Sequence, residues 1–387
     1  MNNILEKGNN PCSSCGVCAI ICPENVINIQ HNDDGFYQPI VDENKCINCG
    51  LCQKVCYQYL ETPRAFNNYF KDKEIYGAWS KDEDIVLNSS SGGVGHELII
   101  QALNDGYEVV GVTFDTEKDT CRHEIAGKIS HAEKFRSSKY LQSYTIDAFD
   151  QFKANKKYLV IGTPCQIYGL RKYVQLKQWE YNFILVDFFC HGTPSYLLWK
   201  KYRQYIQDKF ALKELAHVKF RNKRESSWHS YSMKIDDISG KGYMQINAFT
   251  EDLFFKFFLS DTCLNACCYK CLMRLDNCTS DIRLADFWGD KYKENEKGVS
   301  LVSLNTDKGK SYFKKVEDAL QVEHCCFEDL QNSQGKRFGA IPGKRDLVMS
   351  LLKSDVGILD IYKLTIRASF MKRAKHFLKE SIVKYQK

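Results

Sequence analysis

The sequence predicts three parts in series: a small α+β module over residues 1–60, an α/β domain on a mixed sheet, and a helical C-terminal region. Cysteines crowd the start of the chain in two matching runs with strand-like pieces between them. From about residue 74, short apolar segments alternate with helical stretches, the pattern of an α/β sheet. Roughly the last fifty residues lose that alternation and take on helical spacing with many basic side chains.

The module is justified by its cysteines. They read Cys12-x2-Cys15-x2-Cys18-x3-Cys22-Pro23 and Cys46-x2-Cys49-x2-Cys52-x3-Cys56. Bacterial-type ferredoxins hold two [4Fe–4S] clusters with this spacing, so the chain is expected to move single electrons. Three thiolates two residues apart wrap three corners of one cubane, and the fourth reaches the other. Cys12, Cys15, Cys18 and Cys56 are assigned to one cluster, and Cys46, Cys49, Cys52 and Cys22 to the second. Zinc favours separated CxxC pairs over four thiols in one tight run, and that run occurs here twice. Between the runs, Val26 to Ile29 and Phe36 to Val41 read as strands around the turn Asn32-Asp33-Asp34-Gly35. A polar linker carrying Pro63 spans 61–73.

The α/β domain, 74–310, has strand candidates at Ile75–Trp79, Tyr107–Phe114, Tyr158–Ile161 and Phe183–Phe189. Others follow at Val218–Phe220, Tyr231–Ile235, Ile282–Phe287 and Val299–Leu304. Val94–Asn104, Gln166–Val174 and Ser195–Asp208 read as helices. Ligands of such sheets sit beyond the carboxyl ends of strands. Two strands end in nearly the same words, Gly162-Thr163-Pro164-Cys165 and Cys190-His191-Gly192-Thr193-Pro194. A small-residue turn and a cysteine at both ends mark a site.

The C-terminal region, 311–387, ends in a basic tail. Lys363 to Lys387 holds eight Lys/Arg against one Glu, with Leu364, Met371, Leu378 and Tyr385 seven apart. A docked helix with a solvated basic face is expected, and peripheral contact with an anionic membrane or a partner is the alternative.

Composition bounds the function. The hydrophobic share of 44% and charged share of 26% across 387 residues are those of an ordinary soluble protein with ample core. No stretch approaches the roughly 18 apolar residues of a membrane span, and no signal pattern opens the chain. With 18 cysteines in metal-like spacing, a reducing cytoplasm is expected. The formal charge of +6 counts thiols as neutral. Each cluster with its thiolates carries about −2, so the loaded protein is near neutral and has no nucleic-acid footprint.

A second cysteine group, Cys263, Cys267, Cys268, Cys271 and Cys278, is spaced irregularly. Taken alone it suggests a third metal site, with zinc a fair rival to a cluster. Cys121, Cys325 and Cys326 lack metal spacing and are expected to be small buried hydrophobes.

The cysteine runs are followed by Ser90-Ser91-Gly92-Gly93, Ser138-Lys139-Tyr140, Gly162-Thr163-Pro164-Cys165-Gln166, Phe220-Arg221-Asn222-Lys223, the Cys263–Cys271 group and Asp286-Phe287-Trp288-Gly289. In that order they resemble the coenzyme F-420 hydrogenase/dehydrogenase beta-subunit family with an N-terminal ferredoxin domain. The resemblance implies a flavin-binding domain in which FAD lies beside an iron–sulfur cluster. It makes Cys263, Cys268 and Cys271 ligands of a third [4Fe–4S] cluster, with Cys190 or Cys165 fourth, and Cys267 and Cys278 spectators. Ser90, Ser91, Gly92 and Gly93 precede a helix whose N–H groups and dipole suit a pyrophosphate. Lys139, Tyr140, Gly162, Thr163, Pro164 and Gln166 complete the expected cofactor contacts. Arg221 and Lys223, on alternate positions past a strand, can face one anionic ligand.

Two classes of function follow. In one, the chain is an oxidoreductase passing electrons between its clusters and FAD, and on to or from an organic substrate or a reduced carrier. In the other, it is an electron-transfer subunit whose substrate site lies on another chain. The partner is a ferredoxin-like or other redox protein, or a small molecule. Asp187, His191 and Asp286 are the candidates for proton delivery, and His96 is expected to be structural.

Overall fold

The computed structural model describes residues 2–6, 8–60, 69–275, 278–335 and 340–367. Most of the expected linker and most of the basic tail lie outside the described residues.

In the N-terminal module, β1 (Ile27–His31) and β2 (Tyr37–Val41) form an antiparallel hairpin with Ile27 opposite Val41. The Asn32 side chain accepts from the N–H groups of Asp34 and Phe36, and Gly35 takes φ +72°. The asparagine thus folds its own backbone into the turn.

The large sheet has nine strands: β3 (Glu74–Ser80), β4 (Glu108–Asp115), β5 (Thr120–Ala126), β6 (Ser143–Tyr144), β7 (Tyr158–Ile161), β8 (Phe183–Phe188), β12 (Ile282–Asp286), β13 (Ser300–Leu304) and β14 (Leu320–Cys325). A separate antiparallel sheet holds β9 (Leu215–Asn222), β10 (Ser232–Asp237) and β11 (Gly242–Gln245). The large sheet runs in the order β14-β3-β13-β12-β8-β7-β4-β5-β6. Its centre, β12-β8-β7-β4, is parallel, while β13, β3 and β14 pair antiparallel on one wing. The mixed sheet expected from the alternation is therefore present.

Period-two alternation sorts side chains to two cores. Tyr158, Val160, Phe183 and Leu185 face one, while Leu159, Ile184 and Val186 face the other. Both faces of the central strands are covered, as parallel sheets require. The first core also contains Cys15, Val17 and Cys18, so the N-terminal module and the α/β domain share one apolar interior.

Four strands escape the sequence reading: β5, β6, β11 and β14. β5 reads Thr-Cys-Arg-His-Glu-Ile-Ala and is paired by β4 across a turn rather than by its own hydrophobicity. β14 lies in the stretch expected to be helical. Its polar residues face outward on the sheet edge while Leu320 and Cys325 are buried. Beyond it the expected helices are present at Phe327–Gln334, Arg345–Lys353 and Ile358–Tyr362. Among the described residues no helix is long and apolar enough to cross a membrane.

Candidate iron–sulfur and cofactor site

The two cysteine runs adopt the same backbone twist. Ser14 and Asn48 take φ +59° and +53°, and Gly16 and Gly50 take +78° and +75°. Left-handed residues at matched places curl each loop so that its sulfurs point inward, a conformation glycine enters without strain. Each glycine caps a one-turn helix, Val17–Ile20 or Leu51–Lys54, that carries the third cysteine of its run.

The thiols gather as the spacing predicts. Cys18 lies in the field of Cys15, Cys12 and Cys56. Cys22, Cys46, Cys49 and Cys52 together line one small recess. Burial pushes Cys12 up to about 11, and raises Cys15, Cys18 and Cys56. Buried thiols that raise one another are poor hosts for protons to leave, and a cationic centre offsets that cost. The donor set therefore fits iron–sulfur clusters. Several N–H groups point at sulfur: Ser14 N–H on Cys12 at 3.3 Å, Asn3 Nδ2 on Cys46 and Gln58 Nε2 on Cys56, both at 3.5 Å.

A third thiol group forms at the carboxyl edge of the sheet. Adjacent parallel strands β7 and β8, with Ile161 opposite Val186, deliver Cys165 and Cys190 side by side. The short helix Ala266–Tyr269 and its continuation bring Cys267, Cys268 and Cys271 to the same place. Cys190 lies in the field of Cys268 and Cys271, and Cys165 in that of Cys271 and Cys15. Burial pushes Cys190 up to about 12 and Cys271 to about 11. Cys268 is pulled down, first by the hydrogen bond from Cys267 and then, against burial, by Thr193 and Arg274. Among the described residues no three His, Cys, Asp or Glu side chains converge tightly enough for a single metal ion. A cubane spreads its thiolates wider than one ion does.

Cys263 stands apart from this group, contrary to the resemblance. Its thiol points at the Phe257 carbonyl, 3.8 Å away, and its charged neighbours are Asp261 and Arg345. The reason is local: Cys263 lies on the extended stretch before Asn265, whose side chain caps the short helix that carries Cys267 and Cys268. Both Cys165 and Cys190 reach the group, and so does Cys267. Cys278 lies elsewhere, bonded to Asn305. Cys121 and Cys325 are buried as expected, whereas Cys326 is exposed.

The Gly162–Gln166 turn serves Cys165. Gln166 accepts from the Thr163 N–H at 2.9 Å and donates to Ser143, while Thr163 Oγ1 sits 3.2 Å from Cys165 Sγ. Pro164 opens the helix Pro164–Lys177 as its first residue. These residues hold a thiol in place rather than line an open recess.

The remaining landmarks meet further along the same edge. Ser90 and Ser137 share a hydrogen bond, Ser138 N–H donates to Ser90, and Ser137 donates to the Arg221 carbonyl. Ser91 bonds the Val299 carbonyl, and Gly92 N–H donates to Ser300; a Cβ on Gly92 would lie 2.4 Å from the Ala78 carbonyl oxygen. Gly93 takes φ +85° and caps the helix Val94–Asn104. Lys223 braces this loop by donating to the Ser91 and Lys297 carbonyls. Lys139 is likewise occupied by two carbonyls, of Lys134 and Arg136.

Arg221 is buried with hydrogen-bonding capacity left unfilled among the described residues. Its side chain is buried, one N–H bonds Asp286 at 2.6 Å, and among the described residues Nε and Nη2 have no hydrogen-bond partner. Tyr231 and Trp288 flank the guanidinium at 4.4 and 5.5 Å, and Trp228 stacks on Trp288 while bonding Asp286. Orphaned N–H groups in a buried site cost about 1–3 kcal/mol unless something accepts from them. Unpaired guanidinium N–H groups between aromatic rings suit an anionic, planar ligand. Sequence patterns assigned no site role to Trp228, Tyr231 or Trp288, although Trp288 stands in the Asp286–Gly289 motif, because aromatic residues from separate segments have no shared periodicity. A string of rings, Tyr140 to Phe258 at 5.3 Å and Phe258 to His191 at 4.8 Å, leads back to Cys190.

The three proton-delivery candidates are all engaged. Asp187 is buried, with both oxygens on Arg283, directly opposite it on β12. It is a structural ion pair. Asp286 is held by Arg221 and Trp228. His191 bonds Asp261 at 2.7 Å. His96 is structural: burial, and then Arg136, hold it down to about 4, so it is neutral and accepts from that arginine.

Residues 155–329 match the family model for the C terminus of the coenzyme F420 hydrogenase/dehydrogenase beta subunit. Residues 11–58 match the 4Fe-4S dicluster domain. The coenzyme F420-dependent sulfite reductase of Methanocaldococcus jannaschii is 28% identical over a 188-residue alignment, and the match covers 44% of this chain and 26% of that protein. The chain thus spans about a quarter of that relative's length. A chain from a xenon-derivatised structure of the F420-reducing [NiFe] hydrogenase complex of Methanosarcina barkeri is 17% identical. The match covers 78% of this chain and 94% of that one, with a TM-score of 0.45. The resemblance drawn from the motifs is borne out: a match to the 4Fe-4S dicluster domain precedes a match to the C terminus of the F420 hydrogenase/dehydrogenase beta subunit.

Proposed function

We propose that the chain is an iron–sulfur flavoprotein oxidoreductase with three [4Fe–4S] clusters and one FAD. Clusters take one electron at a time, and a flavin converts between one- and two-electron chemistry. Cys12, Cys15, Cys18 and Cys56 hold the inner cluster, and Cys22, Cys46, Cys49 and Cys52 the outer one. Cys165, Cys190, Cys268 and Cys271 hold the third. Arg221 takes an anionic group of the flavin, and the 90–93 loop, braced by Lys223, closes the recess. The convergence of Cys165, Cys190, Cys268 and Cys271 beside Cys15 carries this reading. The electron-transfer-subunit alternative keeps the same clusters and places the organic substrate on another chain. The names of the relatives favour F420 as the two-electron partner.

Anaerobic quantitation of iron, sulfide and flavin tests the proposal. About twelve irons and one FAD are expected, falling to about eight irons in C165S with flavin retained. R221M is expected to lose flavin and keep its iron. Near eight irons in the unaltered protein removes the third site. A bound chromophore with a deazaflavin spectrum replaces FAD in the reading. Reduction of F420 by the purified chain without another polypeptide separates the enzyme from the relay.

A further inference from the structure

The two cysteine runs differ at one matched place. The first ends Cys22-Pro23 and the second Cys56-Tyr57. Pro23 is exposed, whereas Tyr57 is 2% exposed. Its hydroxyl donates to the Pro11 carbonyl at 2.8 Å, one residue before Cys12, and its own carbonyl accepts from Asn10. Tyr57 is thereby tied at both ends to the loop of the inner thiol group. Its ring packs with Tyr168, Cys267 and Met273, against which Cys165, Cys268 and Cys271 also pack. One side chain therefore follows an inner ligand in sequence and touches the third thiol group in space.

We propose that Tyr57 is the positioning residue that sets the separation and electronic coupling between the inner and third iron–sulfur sites. The inference rests on the three-cluster reading above. Tunnelling decays more slowly through packed atoms than across a gap, and the Cys56–Tyr57 backbone followed by the ring is continuous packed matter. One electron leaves the inner site for each that reaches the third; no bond forms or breaks and no proton moves. Proline could not serve here, since it has neither the reach to Cys267 nor a hydroxyl for Pro11. After Cys22, the matched cysteine assigned to the outer site, nothing is to be bridged and the next residue is proline.

The test uses full-length Y57F and Y57L reconstituted without oxygen, with iron and sulfide content and rapid-freeze EPR of each cluster signal after mixing with dithionite. Y57F is expected to transfer to the third site within about twofold of the unaltered protein, and Y57L about tenfold slower with unchanged iron. Iron lost from the inner and third sites alone in Y57L, with Y57F intact, also supports positioning. An iron-replete Y57L that transfers at the original rate overturns the inference, as does iron loss spread over all three sites. Near eight irons in the unaltered protein instead sinks the three-cluster reading itself.

Discussion

The two cysteine runs share a spacing and a backbone twist, yet they meet different surroundings. On the inner run Ser13, Ser14, Cys15 and Cys18 are buried, whereas on the outer run Ile47 is 60% exposed and Cys49 is exposed. The inner loop is clasped by the α/β domain. Gln142 donates to the Ser13 and Ser14 carbonyls, Thr145 to the Cys15 carbonyl, and Asn265 to the Ser14 hydroxyl. The outer loop is met by the N-terminal segment, through Asn2 and Asn3. Spacing specifies that a cluster is held. Surroundings specify what each loop faces: solvent and the N-terminal segment for one, the third thiol group for the other.

The largest test of this asymmetry removes a ligand from each run. C18S and C49S should each lose about four irons. C18S opens the shared core and should cost roughly 3 kcal/mol or more, while C49S should cost near 1 kcal/mol, measured by anaerobic unfolding. Equal losses of stability would break the comparison. A sharper test uses the paired glycines. A Cβ on Gly16 would lie 2.3 Å from Thr145 Oγ1, which is buried and holds Cys15; on Gly50 it would lie 2.5 Å from the amide of the exposed Asn2. Both substitutions carry the left-handed cost of about 1–2 kcal/mol. G16A should exceed G50A by about 1 kcal/mol more, since Thr145 cannot swing away as Asn2 can. Smaller still is the effect of the polar clasps. Q142A strands the Tyr37 N–H and two carbonyls and should cost about 1–3 kcal/mol. N3A removes an N–H aimed at Cys46 sulfur, together with a buried side chain's bonds to Asn48 and the Leu5 N–H, and should cost about 1 kcal/mol. Its readout is a redox titration in which the outer cluster alone moves to lower potential.

Much of the architecture was legible because it rests on short-range rules. β7 begins and ends at Tyr158 and Ile161 as read, and the helix Val94–Asn104 likewise, since strand alternation and a glycine cap are written locally. β5 and β14 were not legible, because polar residues such as Arg122, Glu124 and Glu323 sit on a sheet whose pairing partner supplies the order. The same divide runs through the site. The ferredoxin thiols could be paired from spacing. Cys263 could not be separated from Cys267 and Cys268, because only the fold turns its thiol to the Phe257 carbonyl while theirs sit on the next short helix. Asp187 looked available for proton transfer and is spent on Arg283, a partner known only from strand register.

What the chain alone dictates is which chemistry it can hold. Repeated thiols at fixed offsets curl around inorganic sulfide wherever the backbone can turn left-handed, and that needs only neighbouring residues. Which thiols from distant segments gather at the sheet edge, which arginine leaves Nε and Nη2 unpaired among the described residues, and which tyrosine lies between two thiol groups depended on folding. Those facts arise when β7, β8 and β12 align their carboxyl ends and the dicluster module docks against them. Contacts between residues far apart in sequence are set by the packing of whole elements, which local spacing does not encode.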